Sequence, residues 1–173
     1  KEGDEVLITL AEHASNTLPW FEVAKHTGAI IKYIDLDEEG KVTLENVRKA
    51  VTEHTKIISL AQITNVLGYL APIKEICNFA HEHDIVVCVD GAQSAPHHAV
   101  DVQDLDVDFF AFSGHKMCGP TGVGVLYGKY HLLEEMTPTR FGGGSNARYN
   151  SCGLVKLKNA PTKFETGTPN IEG

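Results

Sequence analysis

Strand-like and helix-like stretches alternate along this chain, and the alternation predicts an α/β fold: a mostly parallel sheet with helices on both faces. Two further observations agree. The run "IVVCV" (85–89) is apolar without alternation, as a strand buried on both faces requires. Reactive polar residues gather just after apolar runs, which is where an open α/β sheet collects its ligands.

In chain order, "VLITLA" (6–11) reads as a buried strand and is followed by a helix over about 17–26. "AIIKYID" (29–35) is a second strand, ended by the turn "DEEGK". Thr43 is placed to cap a helix whose Leu44, Val47 and Val51 share one face. "KIISLAQ" (56–62) is the third strand. After the loop "ITNVLGYLA", Pro72 suits a first helical position, and Ile73, Ile76, Cys77 and Ala80 repeat at helical spacing. "IVVCV", "DFFAFS" and "VGVLYG" complete the strands. From about 137 to 170 the periodicity disappears and the sequence reads as loop, which in a compact domain points to a functional segment or to chain that packs against something else.

Composition narrows the class. The chain's 173 residues fit one domain, long enough to bury a sizeable core. With 42% hydrophobic and 22% charged residues it is ordinary for a globular protein, and no apolar run approaches the roughly 18 residues of a membrane span. The net charge of -8 is dispersed and no Lys/Arg cluster is present, so neither nucleic acid nor membrane is an expected partner. Four cysteines (Cys77, Cys88, Cys118, Cys152) lie far apart without a CxxC pair, which fits a reducing, cytoplasmic setting. The chain opens directly into a strand and stops at "TGTPNIEG", so it is expected to be part of something longer.

Several motifs fail on inspection. Asp104, Asp106 and Asp108 have calcium-loop spacing, but Phe109 stands where the turn needs glycine and His115 where a bidentate glutamate belongs. "GVLYGKY" ends like a phosphate loop, yet Val123 replaces its first glycine and Tyr130 its hydroxyl residue. His81 and His83 are two apart on a helix and point to different faces, as surface histidines do. His97 and His98 lack further ligands nearby, so no metal site is expected.

The strand ends, taken together, survive. They supply His13, then Asn65, then Asp90 and Gln93, then Ser113, His115 and Lys116. Each has a bland reading alone: Asp90 as a turn former, His13 as a hydrogen-bonded histidine, Lys116 as a loop lysine. Jointly they meet one chemical need. An amine set against apolar strand ends loses solvation and can act as a nucleophile that forms a Schiff base. A carboxylate at a central strand end can keep a heterocyclic nitrogen protonated, an imidazole can stack on a flat ring, and Ser and His donors can hold a phosphate. That is the outline of a pyridoxal 5'-phosphate site.

The stretch "VDGAQSAPHHAVDVQDLDVDFFAFSGHKMCGPTGVGVLYG" (89–128), with "RFGGGSN" and "FETGTPN" after it and "AEHASNTLPW" and "ITNVLG" before it, resembles the SufS-type cysteine desulfurases of the class V branch of fold-type I pyridoxal phosphate enzymes. The resemblance implies that residues 1–173 form part of the large, cofactor-binding domain, with an N-terminal segment and a C-terminal small domain lying outside this chain. It implies roles as well: Lys116 binds the cofactor covalently and shuttles protons, and Asp90 partners the pyridine nitrogen. Gln93 would serve the phenolic oxygen, His13 stacks on the ring, and Ser113 and His115 hold the phosphate. Thr168 of "TGTPN" is a phosphate contact given across a homodimer, and Asn65 lies near the substrate carboxylate. The implied reaction converts L-cysteine to L-alanine and an enzyme persulfide, which feeds a sulfur-acceptor protein and iron-sulfur cluster assembly. None of the four cysteines matches the family's persulfide-forming nucleophile. A selenocysteine lyase shares nearly all these residues, a kynureninase-like or aminotransferase activity is more distant, and a catalytically inert domain fragment is the alternative from another class.

Overall fold

The computed structural model describes residues 1–153 and 155–172. In chain order it contains β1 (Glu5–Ile8), α1 (Ala14–Thr27), β2 (Ile30–Tyr33), α2 (Leu44–Ala50), β3 (Thr55–Ala61), α3 (Ile73–His81), β4 (Val86–Asp90), α4 (Val102–Leu105), β5 (Phe109–Ser113), β6 (Gly124–Gly128) and α5 (Tyr130–Glu135). A short hairpin, β7 (Asn146–Tyr149) and β8 (Val155–Leu157), follows. The main sheet has the order β2-β1-β3-β4-β5-β6, parallel throughout except for β6, which returns antiparallel to β5.

Alternation along β3 and β4 decides which helix covers which face. Ile58, Leu60, Val87 and Val89 join one core with Val47 of α2 and with Ile73, Ile76, Cys77 and Ala80 of α3. Ser59 lies on the opposite face, where its hydroxyl donates to Asn16 of α1. Helices therefore cover both faces, as the sequence predicts. The α2–α3 side holds the densely packed core, where burying each Ile, Leu or Val side chain contributes about 1.5–3 kcal/mol. By contrast, α1 buries none of its residues and depends more on its ends. His13 caps its start, and Gly28, at φ +75°, closes it through a bond to the Ala24 carbonyl.

Several boundaries differ from the sequence reading for local reasons. The first strand stops at Ile8 and not near residue 11, because the Thr9 hydroxyl captures the amide of Ala11 and turns the chain. The helix after it then begins at Ala14, three residues earlier than its periodicity indicates. Pro72 precedes α3 and does not open it. Thr43 does cap α2, accepting from the Asn46 amide.

The segment from 137 to 170 is not wholly loop. It holds β7, β8 and a 3-10 turn at Thr162–Phe164. The strands escape a periodicity search because they are short, pair with each other and leave Arg148, Tyr149 and Val155 exposed. Buried Lys163 ties the segment to α5 by donating to the Glu134 carbonyl at 2.7 Å, and Glu134 accepts from the Ala160 amide.

Candidate active site

Because β1, β3, β4 and β5 lie side by side and run parallel, their carboxyl ends share one edge of the sheet. His13 follows β1, Asn65 follows β3, Asp90 ends β4 with Gln93 just beyond, and Ser113 ends β5. His115 and Lys116 sit in a 3-10 turn, Gly114–Met117, immediately after. The structure thus gathers seven of the eight expected residues on four adjacent strand ends. Thr168 is placed differently: it is exposed in the C-terminal segment, where its neighbour Gly167 donates to the Gly143 carbonyl at 2.7 Å.

Local geometry explains each placement. Asp90 pairs in register with Ala111 of β5, and its Oδ1 accepts from the Ala92 amide at 2.8 Å, which fixes the carboxylate at the start of the turn. Gly91 is required there. A β-carbon on it would stand 2.1 Å from the ring of buried Phe110, so the ring of β5 presses directly on the backbone beside Asp90. The turn carrying Lys116 closes through a bond from Gly119 to the Gly114 carbonyl, and a β-carbon at 119 would stand 2.8 Å from that oxygen. His13 is exposed, with Nδ1 accepting from the Ser15 amide at 3.1 Å, so one ring nitrogen is used in capping α1.

Among the described residues, no hydrogen bond or ion pair engages the side chains of Lys116, Gln93, Ser113 or His115. Lys116 is half-buried and His115 exposed, so the amine is less enclosed than the sequence alone suggests: β5 ends before it, and the turn lifts it off the core. A cavity of about 470 Å³ opens at this edge, lined by Glu12, His13, Asn65 and the apolar Leu10, Leu36 and Leu67. A second cavity of about 480 Å³ lies at the hairpin, but its lining offers no carboxylate, imidazole or amine.

One sequence reading needs revision. His81 is not a plain surface histidine: Nδ1 lies 3.0 Å from Asp106 and Nε2 2.9 Å from Asp108, at the opposite end of the sheet. Glu12 also lines the cavity at this edge, and its only signal in the sequence is a carboxylate between a strand end and a capping histidine. The cysteines behave as expected of core residues in two cases. Burial pushes the thiols of Cys77 and Cys88 up to about 12, which leaves them poor nucleophiles.

Comparison with known proteins shows the family and the fold. The class-V aminotransferase family matches residues 1–173 in full, and the chain belongs to that family. Within it, the chain is 52% identical over 174 residues to a probable cysteine desulfurase of Halalkalibacterium halodurans, covering 99% of this chain and 42% of that relative. Its fold superposes on the cysteine desulfurase CsdA of Escherichia coli with a TM-score of 0.97 and 43% identity, covering 100% of this chain and 43% of that one. It also matches a lysine-to-alanine variant of C-DES with glycine covalently linked to its PLP cofactor, with a TM-score of 0.85 and 28% identity over 96% of this chain and 45% of that one. The chain spans well under half the length of the relatives it matches.

Proposed function

We propose that this chain is the cofactor-binding portion of a pyridoxal phosphate-dependent cysteine desulfurase. The observation that carries the reading is the delivery of an amine, an acid, an amide, an imidazole and a hydroxyl to one sheet edge by adjacent strand ends. The donor set fits the cofactor. Lys116 would bind its aldehyde carbon, Asp90 its ring nitrogen and Gln93 its phenolic oxygen, with Ser113 and His115 on the phosphate and His13 against the ring. Bound there, pyridoxal phosphate supplies an electron sink for bond cleavage beside an amino group.

The chain's own residues then divide the remaining work. Asp90, anchored by the Ala92 amide, holds a negative charge at a fixed point of the sheet. Lys116, half-buried and without a partner among the described residues, is placed to take up and return a proton on the same edge. Asn65, exposed on the loop after β3, is placed for the carboxylate of an amino-acid substrate. In the whole enzyme the carbon–sulfur bond of L-cysteine breaks, the sulfur passes to a cysteine thiolate as a persulfide, and the carbon takes a proton to become L-alanine. Cys77 is buried and Cys88 half-buried on a strand face, both with thiols pushed up to about 12, which sets them against that role. Delivery to a sulfur-acceptor protein for iron-sulfur cluster assembly, a cytoplasmic setting, and a homodimer to which Thr168 contributes a phosphate contact complete the proposal.

The test is reductive trapping. Borohydride treatment with pyridoxal phosphate should leave a single pyridoxyl label, mapped by peptide mass to Lys116, and Lys116→Ala should abolish it. Label distributed over surface lysines, or retained in the variant, would remove Lys116 from this role. Asp90→Asn should keep the cofactor bound while alanine production collapses; near-normal turnover would refute its assignment.

A further inference from the structure

Glu12 lines the same cavity as His13 and Asn65, yet the chemistry above does not use it. Both of its carboxyl oxygens are engaged: Thr9 Oγ1 donates to Oε1 at 2.8 Å and Asn16 Nδ2 to Oε2 at 2.7 Å. Asn16 Oδ1 in turn accepts from Ser59 Oγ at 2.7 Å, and Thr9 Oγ1 accepts from the Ala11 amide at 3.1 Å. A chain of side chains therefore runs from the end of β1, through Glu12, into the first turn of α1 and onto the middle of β3. Its two anchors, Thr9 and Ser59, are 2% and 0% exposed.

His13 sits inside this closed turn, directly after Glu12 and directly before α1. Packing does little to hold it there. The imidazole is exposed, nearby Leu10 is 79% exposed, and α1 buries no residue of its own. The turn is fixed by this hydrogen-bonded chain together with the bonds that His13 itself accepts from Ser15, Asn16 and Thr17.

We propose that Glu12 is a positioning residue: by bridging Thr9 and Asn16 it holds the turn that displays His13, and so sets where the imidazole stands at the candidate active site. This rests on the reading of that site as a pyridoxal phosphate site. The electrostatics agree with a built position. Burial pushes the Glu12 carboxyl above its ordinary range, against the bonds from Asn16, Thr9 and the Ala61 backbone, and the Asp90 charge pushes the same way. Burial above all, with a smaller push from the Glu12 charge, raises the Tyr69 hydroxyl on the loop after β3 above its ordinary range.

Two readouts test this in the full chain. Amide hydrogen exchange at Ser15, capped by His13, reports the turn without cofactor; the visible circular dichroism of bound pyridoxal phosphate reports the imidazole against the ring. Glu12→Ala should speed Ser15 exchange about tenfold, the equivalent of one lost hydrogen bond, and should diminish the dichroic band. Glu12→Gln, which keeps the shape and a hydrogen-bonding end, should restore both to near wild type. Should Glu12→Ala fail to fold, Thr9→Val severs the same chain nearly isosterically and should give the same two losses. Wild-type exchange and dichroism in Glu12→Ala, or in Thr9→Val in its place, overturns the inference, as does Glu12→Gln behaving like Glu12→Ala. A wild-type chain that gives no dichroic band with pyridoxal phosphate overturns the reading of the site itself, and this inference with it.

Discussion

The two edges of the main sheet use the same residue types in opposite ways. At the amino edge of β4 and β5, Lys129 Nζ lies 2.7 Å from Asp106 and 2.9 Å from Asp108, while His81 bridges the same two carboxylates. Asp108 also accepts from the Val87 amide at 2.7 Å. Every charge there is consumed by another, and the cluster staples α3, the turn before β5 and the end of β6 together. At the carboxyl edge the lysine, histidines and aspartate stand apart, and Lys116 has no charged partner among the described residues. A lysine, a histidine and an aspartate close together do not by themselves mark chemistry. What marks it is reactive side chains left unpaired where the backbone holds them still.

The contrast breaks most readily at the structural edge. Asp108→Ala removes one partner of a nearly buried network and leaves Lys129, His81 and the Val87 amide without it; a loss of about 3 kcal/mol in urea unfolding is expected. Gly91→Ala should cost somewhat less, about 1–3 kcal/mol, because the new methyl collides with the Phe110 ring and the backbone beside Asp90 must shift. In that variant pyridoxal phosphate binding should weaken even under conditions where the fold is intact, measured by absorbance titration.

A smaller effect separates the edges by pH. The bond from Lys129 holds the Asp106 carboxyl below its ordinary 3.8, with His81 adding to it. A depressed folded value means that the stabilisation is present above the unfolded value and is lost as pH falls through the folded one. Unfolding followed below about pH 4 should therefore show a decline that is shallower in Asp106→Asn. Smallest of all is Lys116→Ala, expected within about 0.5 kcal/mol of wild type in unfolding, since its amine holds nothing in place. A large loss there would erase the distinction between the two edges.

Much of this was legible in advance. The order of the main-sheet strands and of α1 to α3, the Thr43 cap, the α3 core face and the residues of the strand ends follow from periodicity and turn chemistry, which are local properties of the chain; the short α4 and α5 do not. The family resemblance in "SGHK" and "VDGAQ" made the site residues recognisable as a set. Glu12 is not legible from pattern: its direct partners Thr9 and Asn16 are close in sequence, but the strand anchor Ser59, 43 positions beyond Asn16, joins them only through the pairing of β1 with β3. The hairpin β7–β8 was missed because its strands bury nothing that a period would reveal.

By itself, the amino-acid sequence determined the six strands of the main sheet and the three longer helices, which faces would be apolar, and which reactive residues would fall just past each strand. It could not determine which strands would be neighbours. Only the order β1-β3-β4-β5 brings His13, Asn65, Asp90 and Lys116 to adjacent positions, and only the fold separates Lys116 from the carboxylates that neutralise Lys129. The physical reason is that periodicity is set by nearest neighbours along the chain, whereas pairing of charges is set by contacts between residues that sequence keeps far apart.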